Sequence, residues 1–175
     1  MKRRRSNVLR FLKPKHGQRF QRPRRFIRSK GMRLRAPIIW GLIFAALIGP
    51  STTDFINGYV TTTLGCRVIG VIDGDTVVMH CIGEGRSRGR IVGYDTPELF
   101  SPQCITESWY AFRAKWYLRW KLWSGETIAA IATGQDRYGR DLVRISIDGI
   151  YLQKTMVNSG LARSYAGGRR YSWCD

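Results

Sequence analysis

Charge and apolarity divide this chain before any secondary structure is considered, and the division fixes how much of it can build a core. Residues 1–36 hold 15 of the 30 Lys and Arg and none of the 12 Asp and Glu. The other 15 basic residues share residues 37–175 with all 12 acids, so that part carries only +3. A segment so dense in one sign, with few large apolar side chains, cannot bury enough surface to offset the entropy of ordering it. Residues 1–36 are therefore read as a basic disordered tail. The formal +18 of the whole chain belongs to that tail and says nothing about nucleic-acid binding by the rest.

An apolar run of 14 residues, Ala36 to Gly49, follows directly and meets Pro50. A spanning helix needs about 20 apolar residues and a signal core roughly 7–15. With an acid-free basic flank before it, the segment 37–50 is read as an uncleaved signal-anchor or a cleaved signal peptide, the basic tail staying cytoplasmic. A buried helix of the globular part is the alternative. The best cleavage signal, Gly49-Pro50-Ser51, is poor. Both export readings put the remainder outside the cytoplasm, anchored to the membrane through 37–50 or secreted. Residues 51–64, rich in Thr, Gly and Asn, read as a linker, which leaves 65–175 as one domain.

Within that domain the pattern is of short β-branched runs. Cys66–Ile72 and Thr76–His80 read as strands joined at Asp73-Gly74, and Arg88–Tyr94 as a third strand after the turn at 83–87. The period then changes. From Thr106 to about Leu122, Trp109, Phe112, Trp116, Trp120 and Trp123 recur at spacings of three and four, with Thr106 as candidate N-cap and Gly125 as the stop. This aromatic stripe is read as the face packed on the strands rather than as a platform for bases. Arg113, Lys115, Arg119 and Lys121 are read as the solvated face. Glu126–Thr133 and Arg140–Ile147 complete five strands, and Ile150–Asn158 reads as a short helix closed by Gly160. The expected fold is mainly β with helices (α+β), a five-stranded Greek-key barrel of the OB type with a helix inserted after strand 3.

The four cysteines, Cys66, Cys81, Cys104 and Cys174, all lie beyond the apolar run. There is no CxxC and the only nearby histidine is His80, so a zinc site is not expected. Cys66 and Cys81 lie symmetrically about the Asp73-Gly74 turn and would face each other across a hairpin. Cys104 and Cys174 would then be the second pair, with four unpaired thiols as the alternative.

Two acidic runs carry the chemistry: Asp73-Gly74-Asp75-Thr76 and Asp95-Thr96-Pro97-Glu98. Carboxylates of Asp75 and Asp95, with the Thr96 carbonyl that Pro97 holds extended, make a ligand set for a hard cation such as Ca²⁺, with Mg²⁺ or another divalent ion also suited. Glu98 is placed to activate a water. Arg90 and Arg140 supply planar, permanently charged donors for a phosphate. Arg90 lies five residues before Asp95, which on a regular strand puts them on opposite faces, so a bulge must re-aim one of them. Asp73 is read as a turn residue.

Together, Ile72-Asp73-Gly74-Asp75-Thr76-Val77, Arg90, Asp95-Thr96-Pro97-Glu98, Asp136-Arg137-Tyr138-Gly139-Arg140 and Asn158-Ser159-Gly160-Leu161-Ala162 resemble the thermonuclease (staphylococcal nuclease-like) family over about 65–175. The resemblance implies an OB-fold barrel and a Ca²⁺-dependent endonuclease that hydrolyses DNA and RNA to 3′-phosphate ends. It implies Asp75, Asp95 and Thr96 as calcium ligands, Glu98 as general base, and Arg90 and Arg140 on the scissile phosphate. Arg137 and Tyr138 match positions on a neighbouring phosphate, and Tyr165 is the nearest counterpart of a base-stacking tyrosine. The loop from Leu99 to Cys104 is short and the family's last helix is short or missing. The alternative function is a non-catalytic OB-type nucleic-acid-binding module tethered to the membrane. No protein partner is expected, and the domain is expected to be a monomer.

Overall fold

The computed structural model describes residues 35–174; the segment read as a basic tail lies, but for its last two residues, outside the described residues. The first element, α1 (Arg35–Val60), is a 26-residue helix that runs through Pro50. The missing Pro50 donor does not stop it, and Thr52 and Thr53 return their hydroxyls to the Ile48 and Gly49 carbonyls at 3.1 and 2.9 Å. Residues Ala36–Val60 are long and apolar enough to cross a membrane by length and composition. Ile38, Trp40, Leu42, Phe44 and Leu47 are all exposed, so this half of α1 packs on nothing in the domain.

The structure differs from the linker expected at 51–64. Those residues form the end of α1 and the strand β1 (Thr62–Gly65). The reason is a buried anchor. The Asp54 carboxylate accepts Nε and Nη2 of Arg119 at 2.9–3.0 Å, the Trp123 indole at 2.9 Å and the Val71 amide at 3.2 Å. Asn57 adds a bond to the Leu122 carbonyl at 3.0 Å. The C-terminal half of α1 is thereby fixed to a helix and a strand of the domain.

The strands that follow are β2 (Arg67–Val71), β3 (Thr76–Cys81), β4 (Gly85–Ile91) and β5 (Gly93–Asp95), then helix α2 (Ile105–Ser124). After it come β6 (Thr127–Gln135), β7 (Asp141–Ile147), β8 (Ile150–Tyr151), helix α3 (Leu152–Asn158) and β9 (Arg163–Tyr165). The main sheet runs β1-β6-β7-β4-β3-β2, with β8 beside β7 and a separate β5-β9 pair. Only Cys66 separates β1 from β2, so one kinked strand pairs with β6 at one end and β3 at the other. The sheet therefore curls back on its own first strand, around Val77, Met79, Ile91, Leu118, Ile128, Val143, Ile145 and Met156. The domain is a mixed α+β, OB-fold-like curled sheet. The helix enters after the third strand of that frame, whose expected span is broken at Val92 into β4 and β5.

The aromatic stripe of α2 is a correction. Ala111, Ala114, Leu118 and Leu122 are the buried positions, while Trp109, Phe112 and Trp120 are exposed. Small alanines let the helix backbone approach the strands. The large rings stack on one another along the outside, Trp109–Phe112 and Phe112–Trp116 at 6.1 and 6.0 Å between centroids. Arg119 is likewise not solvated surface but the buried partner of Asp54. The N-cap is Cys104, not Thr106.

Replacing Asp54 with Ala leaves the Arg119 guanidinium buried without its partner. That variant is expected to lose about 3–5 kcal/mol of stability. Chemical denaturation of the detergent-solubilised chain measures it; a loss below about 1 kcal/mol would mean that the pair does not anchor α1.

Candidate active site

The acidic residues are brought together by the β3–β4 register. Thr76 pairs with Arg90, and the Ile91 amide donates to the Asp75 carbonyl at 2.8 Å, so Asp75 and Arg90 are cross-strand neighbours. The strand then breaks. Gly93 takes φ +97°, a conformation that favours glycine, and this break redirects the chain so that Asp95 turns back toward Arg90. Arg90 Nη1 lies 2.7 Å from Asp75 Oδ2 and Nη2 lies 3.1 Å from Asp95 Oδ1. One buried guanidinium thus joins both carboxylates.

The turn between β2 and β3 is held from several sides. The Tyr94 hydroxyl donates to the Gly74 carbonyl at 3.0 Å, and burial raises its pKa well above that of an ordinary tyrosine. A Cβ on Gly74 would lie 2.9 Å from both Ala114 Cβ and Thr96 Oγ1, so only glycine lets the turn seat here. Thr76 Oγ1 donates to Asp75 Oδ1 at 2.8 Å.

Asp73 belongs to this cluster, which corrects its reading as a turn residue alone. It is buried and accepts the Gly74 amide at 2.7 Å. Burial first, with the Asp75 and Glu98 charges adding to it against opposing backbone hydrogen bonds, lifts its pKa to about 6. Asp95 is also raised, by burial and by Asp75, although Arg170 and Arg90 oppose the shift.

Glu98 is half exposed and paired with Arg170, whose Nε also sits 3.1 Å from Asp95 Oδ1. Arg170 lies in the Gly167-Gly168-Arg169-Arg170 segment that sequence reasoning passed over. Partial burial works against its charge, but Asp95 and Glu98 more than offset this and raise its pKa. The signal was present in the spacing: Arg170 is four residues from Cys174 and Glu98 six from Cys104. The disulfides are Cys66–Cys81 and Cys104–Cys174.

The other expected residues have partners outside the carboxylate cluster. Arg140 is committed to Asp136, with Nε and Nη2 each 2.7 Å from Oδ2. Asp136 also accepts the Tyr138 and Arg140 amides and is held below the usual carboxylate range, since these bonds outweigh burial. Tyr138 is exposed, and the Arg137 and Arg140 guanidinium carbons lie 4.8 and 5.6 Å from its ring centre. Tyr165 is in β9 and donates to the Gly168 carbonyl at 2.7 Å.

A hard cation suits the donors present. Four acids, Asp73, Asp75, Asp95 and Glu98, meet two guanidinium groups, Arg90 and Arg170, and burial together with the neighbouring Asp75 charge raises Asp73 and Asp95. The Thr96 hydroxyl is buried without a partner beside them. Among the described residues no three His, Cys, Asp or Glu side chains form a ligand group by themselves, so backbone and water oxygens would have to complete the shell.

The curled sheet carries an acidic cluster faced by arginines, and a comparison with known families finds a match over this part of the chain. Residues 88–172 match the family model described as staphylococcal nuclease homologue. The match spans Arg90, Asp95, Thr96, Glu98, Arg140 and Arg170 and begins after Asp75. Among curated proteins no match to the chain is found.

Asp73 yields a stability test. Its pKa of about 6 in the fold exceeds the ordinary 3.8, so the native state binds this proton more tightly than the unfolded chain. The resulting stabilisation is complete below about pH 4 and is lost as pH rises through 6. With chelator present, Asp73→Asn is expected to remove that slope and to add about 1–3 kcal/mol at pH 7.5. Urea unfolding across pH 4–7.5 measures it; a variant no more stable than the parent at pH 7.5 contradicts the assignment.

Proposed function

We propose that this domain is a divalent-cation-dependent endonuclease, with Ca²⁺ the preferred ion and DNA and RNA the substrates. The observation that carries the reading is the buried Asp75–Arg90–Asp95 chain, inside a domain that matches the staphylococcal nuclease homologue model over residues 88–172. Asp75, Asp95 and the Thr96 carbonyl would hold the ion, which supplies charge neutralisation at the phosphate and a polarised water. Arg90 donates to the non-bridging phosphate oxygens. Glu98 takes the proton of the attacking water. The water oxygen bonds to phosphorus, the bond from phosphorus to the 5′-oxygen breaks, that oxygen takes a proton from solvent to leave as a 5′-hydroxyl, and a 3′-phosphate end remains. Arg137 and Tyr138 would contact a neighbouring phosphate and Tyr165 a base. Arg140, held by Asp136 through Nε and Nη2, would contact the scissile phosphate through Nη1.

The domain is further proposed to lie outside the cytoplasm, held by α1 as an uncleaved anchor. Two disulfides fit an oxidising compartment, and the basic residues before α1 fit the cytoplasmic side. A reporter that fluoresces only in the cytoplasm, fused after Asp175, is expected to stay dark.

The test of activity is cleavage of labelled DNA and RNA by the purified chain. Cleavage is expected with Ca²⁺, none with chelator, and a drop of about 10²-fold or more for Glu98→Gln. Absence of cleavage with every divalent ion, alongside retained DNA binding, would favour the non-catalytic binding module instead.

A further inference from the structure

Two guanidinium groups lie against the acidic cluster, and they are not the expected two. Arg140 is turned to Asp136 by two 2.7 Å contacts. Arg170 instead pairs with Asp95 and Glu98. Arg90 is buried behind Asp75 and Asp95, whereas the Arg170 side chain is 38% exposed and lies on the open side with half-exposed Glu98. A phosphate entering from solvent would meet Arg170 first.

The segment carrying Arg170 is built in at both ends. At its start, the Tyr165 hydroxyl donates to the Gly168 carbonyl. At its end, Arg163 Nη1 donates to the Ser172 carbonyl at 2.7 Å, and the Arg163 guanidinium carbon lies 4.0 Å from the Trp173 ring centre. The Cys104–Cys174 bond then fastens it to the N-cap of α2. The first turn of the same helix holds the loop bearing Glu98: Glu107 accepts the Glu98 amide at 3.2 Å and the Gln103 amide at 2.6 Å. One helix end therefore positions both Glu98 and Arg170.

We propose that Arg170 is a further phosphate-contacting arginine of this site, and that the Cys104–Cys174 disulfide sets its position. The proposal rests on the nuclease reading above and deepens it. Hydrolysis adds negative charge to the phosphate oxygens as the fifth bond to phosphorus forms. Arg170 keeps Nε on Asp95 and Nη1 on Glu98, which leaves Nη2 to donate to those oxygens. Losing one preorganised donor of this kind typically costs about 10²–10³-fold in rate.

The experiment is kcat/KM on a labelled single-stranded DNA oligonucleotide at saturating Ca²⁺, using the full chain. Arg170→Ala is expected to lose about 10²-fold or more, and Arg170→Lys to regain part of the loss. The double variant Cys104→Ser with Cys174→Ser is expected to lose at least about tenfold with Arg170 still present, an estimate that treats the tether as a contribution to effective concentration. Thermal midpoints monitor folding of each. If the parent cleaves and Arg170→Ala cleaves within about twofold of it, or faster, the proposal fails while the nuclease reading stands. Faster cleavage would make Arg170 a competitor of the cation. A parent inactive under all conditions overturns both.

Discussion

The site depends on one buried arginine. Without Arg90, Asp75 would lose its cationic partner and Asp95 would keep only Arg170, leaving buried carboxylate charge that is far costlier than a bridged pair. The bridge also sets geometry. It ties the start of β3 to the end of β5 through the strand between them, so the separation of the two carboxylates is fixed before any ion or substrate arrives. The cost remains visible in Asp73 and Asp95, whose pKa values are raised first by burial and then by the neighbouring Asp75 charge. A cation at these carboxylates would offset that cost.

Around this bridge the fold is a set of clamps on a small barrel. The kinked first strand lets a single sheet pair with itself, and the Cys66–Cys81 bond sits at that kink. Asp54 with Arg119 fixes α1 to α2 and β2, so an apolar helix that is exposed over its first half is rigidly joined to the domain over its second. Cys104–Cys174 returns the C-terminal segment to α2 beside Glu98. Each clamp links an element to the frame that positions the carboxylates.

Much of this could be read from residue order. Strand-turn-strand around Asp73-Gly74, the break needed between Arg90 and Asp95, and a helix after the third strand all follow from local rules of period and turn chemistry, and the structure has each of them. What could not be read is tertiary. Periodicity marks an apolar stripe on α2 but does not say that alanines rather than tryptophans face the barrel. Asp54 looked like a linker acid because its value lies in a partner 65 residues away. Arg140 followed a motif, yet its ion pair is with Asp136, four residues before it, while Arg170 arrives through a disulfide.

The central claim is that Asp75 and Asp95, joined by Arg90, hold a divalent cation. Calorimetric titration of the purified full chain with Ca²⁺ tests it directly, compared with Asp95→Asn, which keeps the side-chain shape and a hydrogen-bond acceptor for Arg90. The account predicts one binding site in the parent and a loss of affinity of about tenfold or more in the variant, the cost of one charged ligand taken at about 1.4 kcal/mol or above. No saturable binding by the parent, or equal binding by both, would contradict it.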